Sequence, residues 1–271
     1  MEKLLATAID AAIDAGIRIM EIYETDDFGV DFKSDNSPLT KADISSHNII
    51  MEYLKTTDIP VLSEEGKSIP YEERAAWNRL WIVDPIDGTK EFIKRNGEFT
   101  VNIALIENQK PIAGVVLVPA LGELYFSSTE IGAFKTTNLD KGLSVSDRIS
   151  SSNKLPINSG DRPFTVVASR SHLSGETSAY IKELESKHGE VATLSKGSSL
   201  KLCMVAEGSA DAYPRFAPTM EWDTAAGQAI CNHSECTVIN WETKRPLLYN
   251  REELLNPWFL VERASRASAP A

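Results

Sequence analysis

Residues 81–92, WIVDPIDGTKEF, gather oxygen donors in a stiff turn. The apolar run at 80–83 ends abruptly in Asp84-Pro85-Ile86-Asp87-Gly88-Thr89, which reads as a buried strand emerging into a tight turn. Pro85 fixes its own φ and donates no N–H, while Gly88 opens backbone angles closed to other residues. Such a turn can aim Asp84, Asp87 and the Ile86 carbonyl at one small volume. Oxygen-only donors converging on a point suit a hard cation such as Mg2+. Turns favour Asp for reasons of their own, so an Asp-rich surface turn accounts for DxxD equally well by itself.

Other stations carry compatible chemistry, each with an ordinary structural alternative. Glu64 and Glu65, ahead of Gly66, follow a short strand at 59–62 and have the composition of a solvated turn. Thr40 and Asp43 have capping-box spacing. Asp223 lies near the start of a helix in EWDTAAG (221–227), where the helix dipole favours a carboxylate. Lys196-Gly197-Ser198-Ser199-Leu200-Lys201 joins a strand to a helix, and its backbone amides, hydroxyls and lysine could cradle a phosphate. It lacks the spacing of a P-loop. Arg215 can grip a phosphate bidentately or form a surface ion pair, and His172 in SRSH reads alone as a loop histidine. No nucleophile elbow and no dinucleotide-binding GxGxxG is present.

The elements that must position these groups follow from periodicity. Residues 3–24 place Leu5, Ala8, Ala12, Ala15, Ile19 and Ile22 at helical spacing, and a polar loop spans 33–38. A second helix runs from Thr40 to about Lys55, with Ile44, Ile49, Ile50 and Leu54 as its core positions, and another occupies 71–78. From 99 to 134 the pattern changes to period two, as in an antiparallel meander with hairpin-length turns. Residues 136–163 are polar, so the chain divides into an N-terminal half, 1–150, and a C-terminal half, 151–271, tightly packed together. The second half alternates strand and helix, ends in a strand at 258–262, and leaves a disordered tail from about 264.

Composition narrows the class. The 271 residues, 42% hydrophobic and 25% charged, are those of an ordinary globular protein, with no run of apolar residues long enough to span a membrane. A formal charge of −11 argues against a broad nucleic-acid-binding face but not against a small phosphorylated ligand, because bound cations reverse the local field. Three cysteines match neither a disulfide framework nor a zinc spacing. The expected location is the reducing cytoplasm, with peripheral attachment to the inner membrane left open and no obligate protein partner evident.

Three motifs in order, LSEEG (62–66), WIVDPIDGTKEF (81–92) and EWDTAAG (221–227), strongly resemble the inositol monophosphatase superfamily of Mg2+-dependent, lithium-sensitive phosphatases. TKAD (40–43), VASRSH (167–172) and GSSLKLCMVAEGSADAYPR (197–215) are similar to its CysQ-type 3′(2′),5′-bisphosphate nucleotidase branch. Inositol monophosphatases usually carry a glutamate shortly before the WD motif, where this chain has YPRFAPTMEWD. The resemblance implies an α/β fold, a five-layered αβαβα sandwich. It implies two or three Mg2+ ions held by Glu64, Asp84, the Ile86 carbonyl, Asp87 and Asp223, with Asp84 bridging and Glu65 behind the ligands. Thr89 with Asp43, alongside Glu64, would activate the attacking water, and the amides of Gly88 and Thr89 would meet the scissile phosphate. Ser198, Lys201 and Arg215 would grip a second phosphate, with His172 near the base or ribose and Asp223 also touching substrate. The implied reaction removes the 3′-phosphate of adenosine 3′,5′-bisphosphate (PAP) to give AMP, and in the same way converts PAPS to APS, in sulfur assimilation. An inositol- or sugar-phosphate phosphatase of the same fold and a non-catalytic phosphometabolite-binding protein are the alternatives.

Overall fold

A computed structural model describes residues 1–25, 27–33, 37–157, 162–168 and 174–264. The expected amphipathic helix is α1 (Glu2–Tyr23), whose buried stripe includes Leu5, Ala8, Ile9, Ala12, Ile13, Ala15, Ile19 and Ile22. Full burial of each of its large aliphatic side chains contributes about 1.5–3 kcal/mol relative to exposure. The stretch read as a loop at 33–38 follows β1 (Asp31–Phe32) and ends in β2 (Pro38–Leu39), since Pro38 already pairs with Phe32 in a two-strand ladder. α2 (Lys41–Leu54) follows, its core face formed by Ala42, Asp43, Ser46, Ile50 and Leu54 at helical spacing. That face differs from expectation. Ile44 falls on the opposite side of the helix and is 41% exposed, and Ile49 is only partly buried.

β3 (Val61–Ser63) leads through α3 (Tyr71–Arg74) to β4 (Arg79–Asp87). The helix expected over 71–78 stops after one turn. Arg79 already pairs with Glu107 in the sheet, and the Arg74 guanidinium turns inward onto the carbonyls of Arg251 and Glu252. After β4 come α4 (Thr89–Ile93) and the meander β5 (Thr100–Glu107), β6 (Lys110–Val118), β7 (Glu123–Ser128) and β8 (Gly132–Thr136). The β5–β6 hairpin turns on Asn108 and Gln109, both at positive φ, which matches the twist of the strands it joins. α5 (Val145–Ser150) and β9 (Asn153–Lys154) complete a seven-stranded sheet of order β3-β4-β5-β6-β7-β8-β9.

The rest of the chain alternates as expected: β10 (Phe164–Ala168), α6 (Gly175–His188), β11 (Val191–Ser195), α7 (Leu200–Glu207), β12 (Ala212–Arg215) and α8 (Glu221–Asn232), then β13 (Cys236–Asn240) and β14 (Phe259–Arg263). Its strands form a second sheet of order β11-β10-β12-β14-β13. α1 and α2 cover one face of the large sheet; α7 and α8 fill the space between the two sheets; α6 covers the far face of the small one. The architecture is therefore an αβαβα sandwich, and the hydrophobic core divides into three clusters that fill its interlayer spaces. Both faces of the large sheet are covered, which explains why β4 reads as an unbroken apolar run rather than an alternating one. α8 lies so close to β6 that a Cβ on Gly114 would stand 2.5 Å from the Ala226 carbonyl oxygen. All three cysteines are buried and free, and the expected tail beyond 264 lies outside the described residues.

Candidate active site

Residues three apart on a regular strand point to opposite faces, so Asp84 and Asp87 can share a site only if β4 is irregular. It is. β4 pairs with β5 as far as Asp84 opposite Asn102, then shifts register before Asp87 opposite Thr100. The distortion falls at Pro85, which has no N–H for the ladder. Two bonds lock it: the Ile86 N–H donates to Asp84 Oδ1 at 3.0 Å, and the Ser46 hydroxyl donates to the Pro85 carbonyl at 2.8 Å.

Asp223 arrives on the first turn of α8, with its Oδ2 accepting the Met220 N–H at 2.9 Å. The carboxylates of Asp84, Asp87 and Asp223 each place an oxygen within 4.8 Å of the other two. Glu221, two residues earlier, is wholly buried and turns away to accept the Asn250 and Arg251 amides, so it anchors the start of α8 to that loop.

Gly88, at φ 96°, turns the chain from β4 into α4 and puts Thr89 on the first turn. Thr89 Oγ1 donates to Asp43 Oδ1 at 3.0 Å and lies 3.4 Å from the Ile86 carbonyl oxygen. The other Asp43 oxygen accepts from the Thr40 amide at 2.7 Å and from the Thr40 hydroxyl. Asp43 is thus both the capping residue and the partner of Thr89. The two readings of TKAD are not alternatives.

Glu64 sits beside Asp84, close enough for its charge to raise the Asp84 pKa, but outside the three-carboxylate cluster. Lys33 Nζ donates to Glu64 Oε1 at 2.7 Å and also to Glu65 Oε1. Sequence reading passed over Lys33, because a lysine in a polar stretch carries no signal until the fold brings it to the acidic pair.

A cleft with two lobes opens at the carboxylates. One lobe, about 390 Å3, is lined by Asp87, Gly88, Ser198, Lys201, Arg215 and Asp223 together with Lys90 and Lys94. The other, about 490 Å3, is lined by Glu64, Thr89, Met220 and Leu255 among others. In the first lobe, Arg215 Nε and Ser198 Oγ are buried with no hydrogen-bond partner, while Arg215 Nη2 donates to the Pro218 carbonyl at 2.9 Å. Lys201 departs from the expected free grip. Its ammonium donates to the carbonyls of Ser198 at 2.6 Å and Lys196 at 3.3 Å, bracing the loop from beneath. The expected cradle of amides is also partly committed, since the Gly197 N–H donates to Glu98 Oε2 at 2.9 Å. Lys90 and Lys94, one helical turn apart, add cations that the motif reading overlooked. His172 lies outside the described residues.

The electrostatics of the trio are those of crowded, buried carboxylates. Burial, and then the charges of Glu64, Asp87 and Asp223, push the Asp84 carboxyl far above the ordinary carboxylate range. Burial and the Asp87 charge do the same to Asp223. Asp87 is raised by burial, against the opposing Lys201 charge and Ser199 hydroxyl. Lys201 is itself lowered by burial to about 8. Hard oxygen donors that repel one another in a buried site fit a divalent cation, which would replace the missing positive charge.

Carboxylates with raised pKa bind protons in the fold that the unfolded chain releases, so metal-free stability falls as pH rises from about 4 through the raised values. The melting temperature of chelator-treated protein should therefore drop between pH 5 and pH 8, with added Mg2+ raising it more at pH 8. Equal Mg2+ gains at both pH values would count against a cation on these carboxylates.

Buried carboxylates beside a two-lobed cleft that also presents lysines and an arginine are suited to cation-assisted chemistry on an anionic ester. The chain belongs to the inositol monophosphatase family, whose profile matches residues 1–269. It is 48% identical over 263 residues to the 3′(2′),5′-bisphosphate nucleotidase CysQ of Escherichia coli K12, covering 95% of this chain and 99% of that protein. The Salmonella typhimurium CysQ is 45% identical over 261 residues, covering 95% and 99%. Its fold matches the crystal structure of CysQ from Bacteroides thetaiotaomicron with a TM-score of 0.90 at 52% identity, covering 97% and 98% of the two chains. The Thermotoga maritima IMPase matches at a TM-score of 0.71 and 22% identity, over 97% and 92%, a likeness of fold alone.

Proposed function

We propose that the protein is a Mg2+-dependent 3′(2′),5′-bisphosphate nucleotidase that hydrolyses the 3′-phosphate of adenosine 3′,5′-bisphosphate to give AMP and phosphate. The observation that carries this reading is the pair Arg215 and Ser198 lining the lobe beside the carboxylate trio, with Arg215 Nε and Ser198 Oγ buried at its wall without a hydrogen-bond partner. A monoester with one phosphate does not need a second grip; a bisphosphate does. The similarity to CysQ proteins over nearly the whole chain supports the same substrate class.

Asp84, Asp87 and Asp223, with Glu64 and the Ile86 carbonyl, would hold Mg2+, and Li+ would inhibit by competing there. Bound Mg2+ would neutralise phosphoryl charge and ease departure of the ester oxygen. The protein's own part begins at Thr89. Its hydroxyl, hydrogen-bonded to Asp43, can pass a proton to that carboxylate as it takes one from the attacking water. Burial raises the Asp43 pKa against the hydrogen bonds of Thr40 and Thr89, which makes it a better proton acceptor than an ordinary aspartate. The start of α4 at Gly88 and Thr89 offers backbone amides to the phosphate. Arg215 and Ser198, with Lys90 and Lys94 at the rim, would hold the 5′-phosphate, and the phosphosulfate of PAPS would fit the same grip. Work in sulfur assimilation, in the cytoplasm, belongs to the same proposal. Among the described residues no helix is long and apolar enough to cross a membrane.

Phosphate release from adenosine 3′,5′-bisphosphate should far exceed that from inositol 1-phosphate under Mg2+, and Li+ should suppress it. Arg215→Ala should lower kcat/KM on the bisphosphate by about 10–150-fold, the effect of losing one charge-assisted contact, with a smaller loss on inositol 1-phosphate. Lys201→Ala, by loosening the loop that carries Ser198, should also narrow the preference, and should lower the melting temperature because the ammonium braces two carbonyls. Equal losses on both substrates would show that Arg215 selects nothing, and a wild type preferring inositol 1-phosphate would make the enzyme an inositol phosphatase.

A further inference from the structure

Four elements of the site meet at one side chain, the second serine of the Lys196–Lys201 segment, to which the motifs give no part in the carboxylate cluster. Ser199, immediately before α7, is 1% exposed. Its Oγ lies 2.8 Å from Asp87 Oδ2 and 2.8 Å from the Asp223 carbonyl oxygen. Asn102 of β5, also 1% exposed and directly across the ladder from Asp84, donates from Nδ2 to the same Oγ at 2.8 Å. A hydroxyl has one hydrogen to give and two lone pairs to receive with. Because the Asn102 amide can only donate there, the Ser199 hydrogen is directed to Asp87 or to Asp223. An ionised carboxylate is the stronger acceptor, so the hydrogen goes to Asp87 when that group is charged, and the hydroxyl holds the end of β4 beside the start of α8 from a base fixed on β5.

We propose that Ser199, oriented by Asn102, is the positioning residue that fixes Asp87 against Asp223 and so sets the affinity of the site for a divalent cation. The inference rests on the reading that this trio is a cation site. The geometry favours it over a packing role in two ways. The serine reaches a carboxylate of the cluster directly, and a charge-assisted bond from a neutral hydroxyl is stronger and more directional than one between neutral groups. Asn102 keeps its own Oδ1 buried without a partner, so its place in the core is not explained by satisfying its amide. Such an unsatisfied acceptor is costly inside a protein, and here it accompanies the one donor that holds Ser199 in register.

The test uses the metal-free full-length protein and Mg2+ as the probe, with calorimetric titration and thermal melting for wild type, Ser199→Ala, Ser199→Cys, Ser199→Thr and Asn102→Ala. Loss of a group that orients a ligand costs about 10–100-fold in metal affinity. Ser199→Ala should weaken Mg2+ binding to that extent. Ser199→Cys, which keeps the shape but is a poor donor, should do so too, and so covers the case in which the alanine variant fails to fold. Ser199→Thr, retaining the hydroxyl, should restore most of the affinity, and Asn102→Ala should weaken it. In turnover assays the Mg2+ concentration needed for half-activation should rise, while kcat at saturating Mg2+ stays close to wild type. Wild-type Mg2+ affinity in Ser199→Ala or Ser199→Cys, whatever happens to the melting temperature, would overturn the proposal. A wild type that binds no Mg2+ would overturn the cation-site reading itself, which is a different failure.

Discussion

Asp84→Asn is expected to abolish turnover while leaving the metal-free fold intact or slightly more stable. Asp84 is 1% exposed and lies among Glu64, Asp87 and Asp223, whose charges and its own burial all disfavour its ionised form. An asparagine of the same shape can still accept the Ile86 N–H and removes a buried charge that only a cation would balance. The melting temperature in chelator should hold or rise, because an unpaired buried charge costs free energy. Activity should fall below about a tenth of wild type even at saturating Mg2+, since metal assistance supplies several kcal/mol of barrier lowering. Substantial turnover in this variant would remove Asp84 from the centre of the mechanism.

Thr89→Ala and Asp43→Asn carry the second large effect, and the structure separates what each reports. Both should lower kcat by roughly 10²–10⁴-fold, the range for general-base assistance, with little change in Mg2+ affinity. Thr89→Ala removes only the hydroxyl facing Asp43 Oδ1 and should leave the melting temperature nearly unchanged. Asp43→Asn also disturbs the cap of α2, where Oδ2 accepts from the Thr40 amide and hydroxyl. It should therefore cost about 0.5–2 kcal/mol of stability in addition. Wild-type kcat in Thr89→Ala would leave Asp43 as a cap and nothing more.

The sequence by itself determined much of this molecule, because local physics decides those features. The spacing in α1, the period-two meander and the alternating second half each follow from which residues must be buried on a helix or strand. The motif at 81–92 announced convergent oxygens because Pro85 and Gly88 restrict the turn that carries them. Where the local signal was thin, it misled: α3 ends after one turn, and Ile44 of α2 faces out.

What only the tertiary structure decided is which groups face one another across the layers. The register slip that turns Asp84 and Asp87 to one side is a property of the β4–β5 pair, and strand spacing alone would have separated them. Asp43 proved to cap a helix and to hold Thr89 at once, since a carboxylate has an oxygen for each task. Lys201, a grip by motif, is bound to carbonyls beneath the loop, whereas Lys33 reaches Glu64 and Glu65 from some thirty positions away. Ser199 and Asn102 lie 97 residues apart and carry no spacing that a reader of the chain could use. Their partnership exists because β5 and the start of α7 are brought together by burial of the surfaces between the two sheets. Contacts of that kind are set by the packing of whole layers, and a sequence read locally contains the layers but not their alignment.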